Sequence, residues 1–406
     1  MALESRLQAA RERAALTQAV VANALGVPRE MVSYWETGDR QPSLARLKNL
    51  ARLYRVNPGY LVGEEDLDER AGRDVLYRSL EVRPDGDARV RLEVDGWLDF
   101  LDDWADFLNH AGHGHLLSGA QKPPKPLDEG YVEDVRRASR LAANVREHYN
   151  LGLDPLPDLG AFLDEIGVLV YRTSLGSFAR GFADEDGVSG AFFNHPRVGW
   201  SILVNTSASR GRQTFTLAHE FAHALYHYET GGVISREDEE ARTDPKDRFA
   251  NAFAAHFLVP GKRLRALVNH YGGRDELAPP VALKLASYFG VSYSMLLYRL
   301  LGERLITAEE RKAFGGSSVQ SMVHRLNIPD EPFRAPTHAT NGVDRFPFSV
   351  LEIVRREIED GNLTPSQAAG MLGMNEIDLQ QALFAEGDEL TEFDLQERAE
   401  YASFAP

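Results

Sequence analysis

Two histidines four residues apart, with a glutamate beside the first, carry the most chemistry in this sequence: His219-Glu220-Phe221-Ala222-His223. On an α-helix, side chains at i and i+4 share a face about 6 Å apart, so both imidazoles can be aimed at one ion. Glu220 is offset by one position, which carries its carboxylate past the ion to a water beside it. That pattern suits hydrolysis of a peptide bond. The ion, zinc or alternatively manganese, polarises the carbonyl and acidifies the water, while the glutamate takes the proton and returns it to the leaving amine. The chain has no cysteine. Thiolate ligands, cysteine nucleophiles and disulfides are therefore excluded, and a transition-metal site must be assembled from histidine and carboxylate.

A catalytic zinc takes about three protein ligands and keeps one position open. His227 continues the stripe but stands about 12 Å along the helix axis from His219. Joining both to one ion would be strained, so His227 is expected behind the site or at the surface. The run from Asp247 to Ala255 offers a better third ligand. Asp247 and Asn251 lie four apart on one face, while Ala250, Phe253, Ala254 and Phe257 form an apolar stripe whose small members permit close approach to another helix. Asp247 is expected to bind the metal and Asn251 to orient a ligand by hydrogen bonding; the competing reading of Asp247 is an ordinary acid in a first helical turn. The run Glu237-Asp238-Glu239-Glu240 reads as a solvated loop. His110, His113 and His115, set among glycines, read as a flexible loop and not as a second metal site.

These residues need elements to hold them. A β-like run, Gly167 to Tyr171, precedes a hairpin made of Ser189–Phe193 and Trp200–Val204, with the turn residues Asn194 to Gly199 between them. The hairpin feeds the helix of His219. An amphipathic helix runs from Val132 through Val135, Ala138, Leu141, Ala142 and Val145, and residues 281–301 are helical with a break at Gly290. The tail from Phe346 to Leu383 reads as a helix pair broken at Gly361 and restarted at Thr364-Pro365. Its stretch Gly361–Leu383 looks like a small helix-turn-helix without Lys or Arg, which favours docking or dimerisation over DNA.

The first 62 residues differ in charge from the rest. They hold nine Lys/Arg against five Asp/Glu, a net of +4 in a chain whose total is -16. A basic module on an acidic body suits a polyanion at that end alone. Short helices are bounded by Thr17 as N-cap, Gly26 as stop, Pro28 as start, Gly38 as stop and Pro42-Ser43 as start. A connector with an acidic, aromatic helix near Trp97–Trp104 and a Pro-rich linker, Ser118 to Pro126, follows. No apolar run approaches the ~18 residues needed to cross a bilayer, and the N-terminus lacks the apolar middle of a signal peptide. A cytoplasmic protein is expected.

Taken together, Ser189-Gly190-Ala191, Ile202–Asn205, Thr214–His223, Ala250–Ala255 and Leu258-Val259-Pro260 resemble the ImmA/IrrE family of bacterial metallopeptidases over roughly residues 135–310. The family usually has Glu at the position of Asp247, one methylene longer. The N-terminal text Leu16-Thr17-Gln18, Leu25–Pro28, Val32–Gly38 and Pro42-Ser43 resembles XRE-type, lambda-repressor-like domains. There the helix from Pro28 to Glu36 would enter the major groove, with Gln18, Arg29, Glu30, Ser33 and Arg40 as candidate contacts and Trp35 in the core. A dimer on a palindromic site is the natural expectation. The implied architecture is mainly α with a small β-sheet (α+β): an all-α helix-turn-helix domain (1–63), an acidic connector (64–130), a zincin-like metallopeptidase domain (131–310) and a helical C-terminal domain (311–406). The resemblance implies regulated cleavage of a helix-turn-helix repressor in stress, DNA-damage or phage responses. Its alternative is an antitoxin-like transcription regulator whose peptidase fold senses without cleaving.

Overall fold

The computed structural model describes residues 3–63 (save 15, 55 and 57), 88–116, 130–175, 187–236, 243–334 and 342–384. The linker Ser118–Pro126 and the acidic run Glu237–Glu240 lie outside these residues. The chain divides into two compact units, residues 1–107 with 232–234, and residues 108–231 with 235–406.

The first unit begins with five helices, α1 (Leu3–Arg13), α2 (Gln18–Leu25), α3 (Arg29–Thr37), α4 (Leu44–Tyr54) and α5 (Pro58–Val62). Their boundaries follow local chemistry. The Thr17 hydroxyl accepts from the Val20 amide, and Gly26 closes α2 in the left-handed conformation at φ 62°. Gly38 closes α3 in the same way. The faces they bury, Leu7, Val21, Val32, Trp35, Leu50 and Leu61 among others, form one core. The acidic helix is there as Ala88–His110, with Trp97, Phe100, Leu101 and Trp104 buried.

The sheet has four strands, order β1-β3-β2-β4, with β1 Leu169–Thr173, β2 Val188–His195, β3 Gly199–Asn205 and β4 Gly232–Arg236, and the first three in sequence lie wholly in the second unit. The hairpin pairs antiparallel with His195 opposite Gly199, while β1 joins β3 in parallel. One large core lies between this sheet and the helices Ala138–His148, Arg210–Tyr226, Pro245–Leu258, Pro279–Tyr288 and Tyr293–Gly302. The fold is thus mainly helical with one small sheet.

Three expectations change in detail. The helix foreseen from Val132 starts as a 3-10 turn at Val135 and becomes α-helical at Ala138, so Val132 is buried ahead of it. The tail holds three helices, Phe348–Glu359, Pro365–Leu372 and Glu376–Phe384, because Gly373 turns left-handed and interrupts the second. His113 is not in a free loop. A 3-10 turn at Gly114–Leu116 follows it, and its Nε2 sits 2.9 Å from Glu357 Oε1. Among the described residues no helix is long and apolar enough to cross a membrane.

Candidate metal centre

The helix Arg210–Tyr226 crosses the sheet at very short range. Gly190 of β2 makes this possible: a Cβ there would lie 2.5 Å from Thr216 Cγ2 and 2.9 Å from the Leu203 carbonyl. Gly211 does the same at the first turn, where a Cβ would meet the backbone of Val291, Ser292 and Pro332 at 2.7 Å. The second helix, Pro245–Leu258, starts where Asp244 accepts from the Lys246 and Asp247 amides and Pro245 takes the first helical position. Its buried Ala250 and Ala254 let the two helices lie close, and Asp247 in its first turn reaches the histidines.

His219, His223 and Asp247 bring their ligating atoms within 4.8 Å of one another. The two Nε2 atoms are 3.0 Å apart, and Asp247 Oδ1 is 3.2 Å from that of His223 and 3.6 Å from that of His219. Burial opposes charge on all three. For His219 it is outweighed by the neighbouring Asp247 and Glu220 carboxylates, which raise its pKa. For His223 burial wins and drives the imidazole down to about 3. Asp247 is held far below the usual carboxylate range, against its own burial, by the two histidines beside it. Two carboxylates therefore draw positive charge to the point where the two Nε2 atoms meet.

The atoms behind the ligands decide which nitrogens are free. Asn251 Oδ1, 3.0 Å from His219 Nδ1, accepts a hydrogen bond from the N–H of that nitrogen and leaves Nε2 to face the cluster. Two imidazole Nε2 atoms and a carboxylate oxygen converging on one buried point form the donor set that a zinc-type ion takes, and the residues fit such an ion.

Glu220 is fully buried, and neither of its carboxylate oxygens has a hydrogen-bond partner. Burial pushes its pKa up to about 7; the nearby His219 and Ser235 pull it the other way. The Ser235 hydroxyl of β4 is close enough to be felt but forms no hydrogen bond of ordinary geometry. A Cβ on Gly190 would stand 3.3 Å from Glu220 Oε1, so the glycine also keeps the space before the carboxylate open. A buried carboxyl titrating near neutrality, unpaired and adjacent to a cation-drawing cluster, is suited to moving a proton.

Residues 163–301 match the IrrE N-terminal-like domain of the M78 peptidases, and residues 7–61 match the helix-turn-helix family. The chain joins a helix-turn-helix domain to an IrrE-like domain of metallopeptidase type. It is also similar to the HTH-type transcriptional regulator ImmR of Bacillus subtilis, 29% identical over 103 residues that make up 25% of this chain and 77% of that regulator.

In the helix-turn-helix domain Arg29 and Glu30 are exposed on α3, and Ser33 is half-buried one turn on. Arg40 lies with its guanidinium 5.6 Å above the ring of the exposed Tyr34. Gln18 points inward: its amide donates to Glu36 Oε2 at 3.0 Å. Glu36 also receives Arg11, Nε at 2.6 Å and Nη2 at 3.0 Å.

The IrrE-like domain contains residues that sequence reasoning missed. Arg146 is buried and donates to the carbonyls of Leu151, Gly152, Asp154 and Phe257. Arg299 is buried and donates to the Val259 carbonyl and to Glu303. Both place a cation at the C-terminal end of the Asp247 helix, where carbonyls lack partners. Desolvation lowers both guanidinium pKa values to about 10. His227, expected behind the site or at the surface, is fully buried, its Nδ1 2.9 Å from His223 Nδ1. The i+4 step from His223 was the available signal.

Proposed function

We propose that this protein is a DNA-binding, zinc-dependent endopeptidase that cleaves a protein substrate, a helix-turn-helix repressor being the expected class, in a bacterial stress or phage response. His219, His223 and Asp247 would hold the ion, with manganese as the alternative to zinc. Bound there, the ion supplies Lewis acidity toward a peptide carbonyl and toward water. Glu220 takes a proton from the attacking water onto its carboxylate and delivers it to the leaving amine. Asn251 orients His219 by accepting from Nδ1. The helix-turn-helix domain, residues 1–63, would dock the chain on DNA through Arg29, Glu30, Ser33 and Arg40, two copies binding a palindromic site. Gln18, engaged with Glu36, would contribute by fixing α2 against α3.

The observation that carries the reading is Glu220, a buried carboxylate with no partner beside a His-His-Asp cluster. A site that only sensed metal would need no such group. A second reading, a transcription regulator that does not cleave, is favoured by the likeness to the regulator ImmR and by the short Asp247.

The test compares wild type and Glu220→Gln, each loaded with zinc or manganese, on candidate repressors from the same cell. A drop in cleavage of about 10²–10⁴-fold in the variant is expected. Equal survival of every candidate in both reactions would leave the regulator reading standing alone.

A further inference from the structure

The nitrogen of His223 that faces the metal cluster is fixed by a chain of two hydrogen bonds behind it. His227 Nε2 lies 2.8 Å from the Val132 carbonyl oxygen. A carbonyl only accepts, so that nitrogen carries the proton. A neutral His227 then has a bare Nδ1, which stands 2.9 Å from His223 Nδ1. One proton must lie between them, and it belongs to His223. His223 Nε2 is consequently bare, and it is the atom 3.2 Å from Asp247 Oδ1 and 3.0 Å from His219 Nε2. His223 and His227 are each 0% exposed, so no water competes for these protons. The His227 ring is also held from both sides, edge-on to Tyr131 at 5.2 Å and to Phe249 at 5.7 Å between centroids.

We propose that His227, held by the main-chain carbonyl of Val132, is a positioning residue that fixes the tautomer of His223 and so sets the metal affinity of the cluster. This rests on the metal reading of His219, His223 and Asp247. It assigns His227 a place behind the metal, and it ties the segment ahead of the helix Ala138–His148 to the centre over a separation of 95 residues. Without the acceptor at His227, His223 would be free to rotate and to carry its proton on Nε2, the atom the metal needs.

Two measurements test it on the full chain. The first uses wild type labelled with ¹⁵N-histidine and stripped of metal, with His223→Gln and His227→Gln spectra assigning the two signals. Long-range ¹H–¹⁵N spectra should report His223 protonated on Nδ1 and His227 protonated on Nε2. The opposite tautomer at either ring overturns the proposal, whatever the chain does with metal. The second is a zinc competition titration against a chromophoric chelator. His227→Phe keeps the ring packing and loses both hydrogen bonds, and it should weaken zinc binding about 10–100-fold. His227→Gln keeps a donor and an acceptor, and it should recover most of that loss. Wild-type affinity in His227→Phe overturns the proposal. Failure of wild type itself to bind zinc would instead reject the metal reading, while the tautomers of the metal-free chain still judge the hydrogen-bond chain.

Discussion

Each unit buries a glutamate on a helix, and the two are treated in opposite ways. Glu36 in the helix-turn-helix domain receives three N–H donors, two from Arg11 and one from Gln18, and the same Arg11 donates to the Leu16 carbonyl. Glu220 in the IrrE-like domain has none. Burying a carboxylate costs several kcal/mol unless hydrogen bonds and an opposite charge offset it. In the first domain the cost is offset on the spot, and the result is a rigid joint between α1, α2 and α3. In the second it is left standing, and the carboxyl is driven to about 7 by burial. A satisfied buried acid holds a fold together; an unsatisfied one is available for chemistry.

The largest break in this comparison is in stability. Glu36→Ala should destabilise the first domain by about 3 kcal/mol, because it strands the Arg11 guanidinium in a buried place. Hydrogen exchange at α1–α4 amides should accelerate while the amides of β2 and β3 stay protected. Glu220→Gln should do the reverse, leaving the melting temperature unchanged or raised by a few degrees although cleavage collapses; a clear fall in melting temperature would mean that Glu220 is structural. Next in size, Gly190→Ala should cost about 1–3 kcal/mol of the second unit's stability, since its Cβ collides with Thr216 and the Leu203 carbonyl. It should also slow cleavage by crowding Glu220. Urea unfolding and the cleavage rate read the two effects separately.

The smallest effect concerns pH. Burial lowers His256 to about 4, with the nearby charge of Arg299 adding to it. Between pH 6.5 and 4 the unfolded chain binds a proton there that the folded chain refuses, so His256 favours unfolding as pH falls through that window. His256→Gln should flatten the acid side of the stability curve, with no change above pH 7. An unchanged acid slope in urea titrations would assign the acid sensitivity to other groups.

What could be read from the sequence was local. The spacing of His219, Glu220 and His223, the caps at Thr17 and Gly26, and the turn between β2 and β3 are each written within about ten residues, where helix period and turn chemistry apply directly. The Asp247 and Asn251 pair was legible because it, too, repeats at four. The contacts that do not repeat were missed. Val132 meets His227 and Arg146 meets Phe257 across long separations, and main-chain carbonyls carry no sequence signature at all. Gln18 reads as a DNA contact in the text of α2, and its hydrogen bond to Glu36 on another helix has no signature there. His113 looked free among glycines because Glu357 is 244 residues away.

Arg146 has a consequence for how the protein can be divided. The match to the IrrE N-terminal-like domain begins at residue 163, yet the last turn of the Asp247 helix hangs on a guanidinium seventeen positions upstream of it, through the Phe257 carbonyl. The matched stretch and the packed module therefore have different borders. A fragment trimmed to the matched residues would keep every ligand of the cluster and lose one of the two guanidinium clamps, Arg146 and Arg299, that anchor the end of the Asp247 helix.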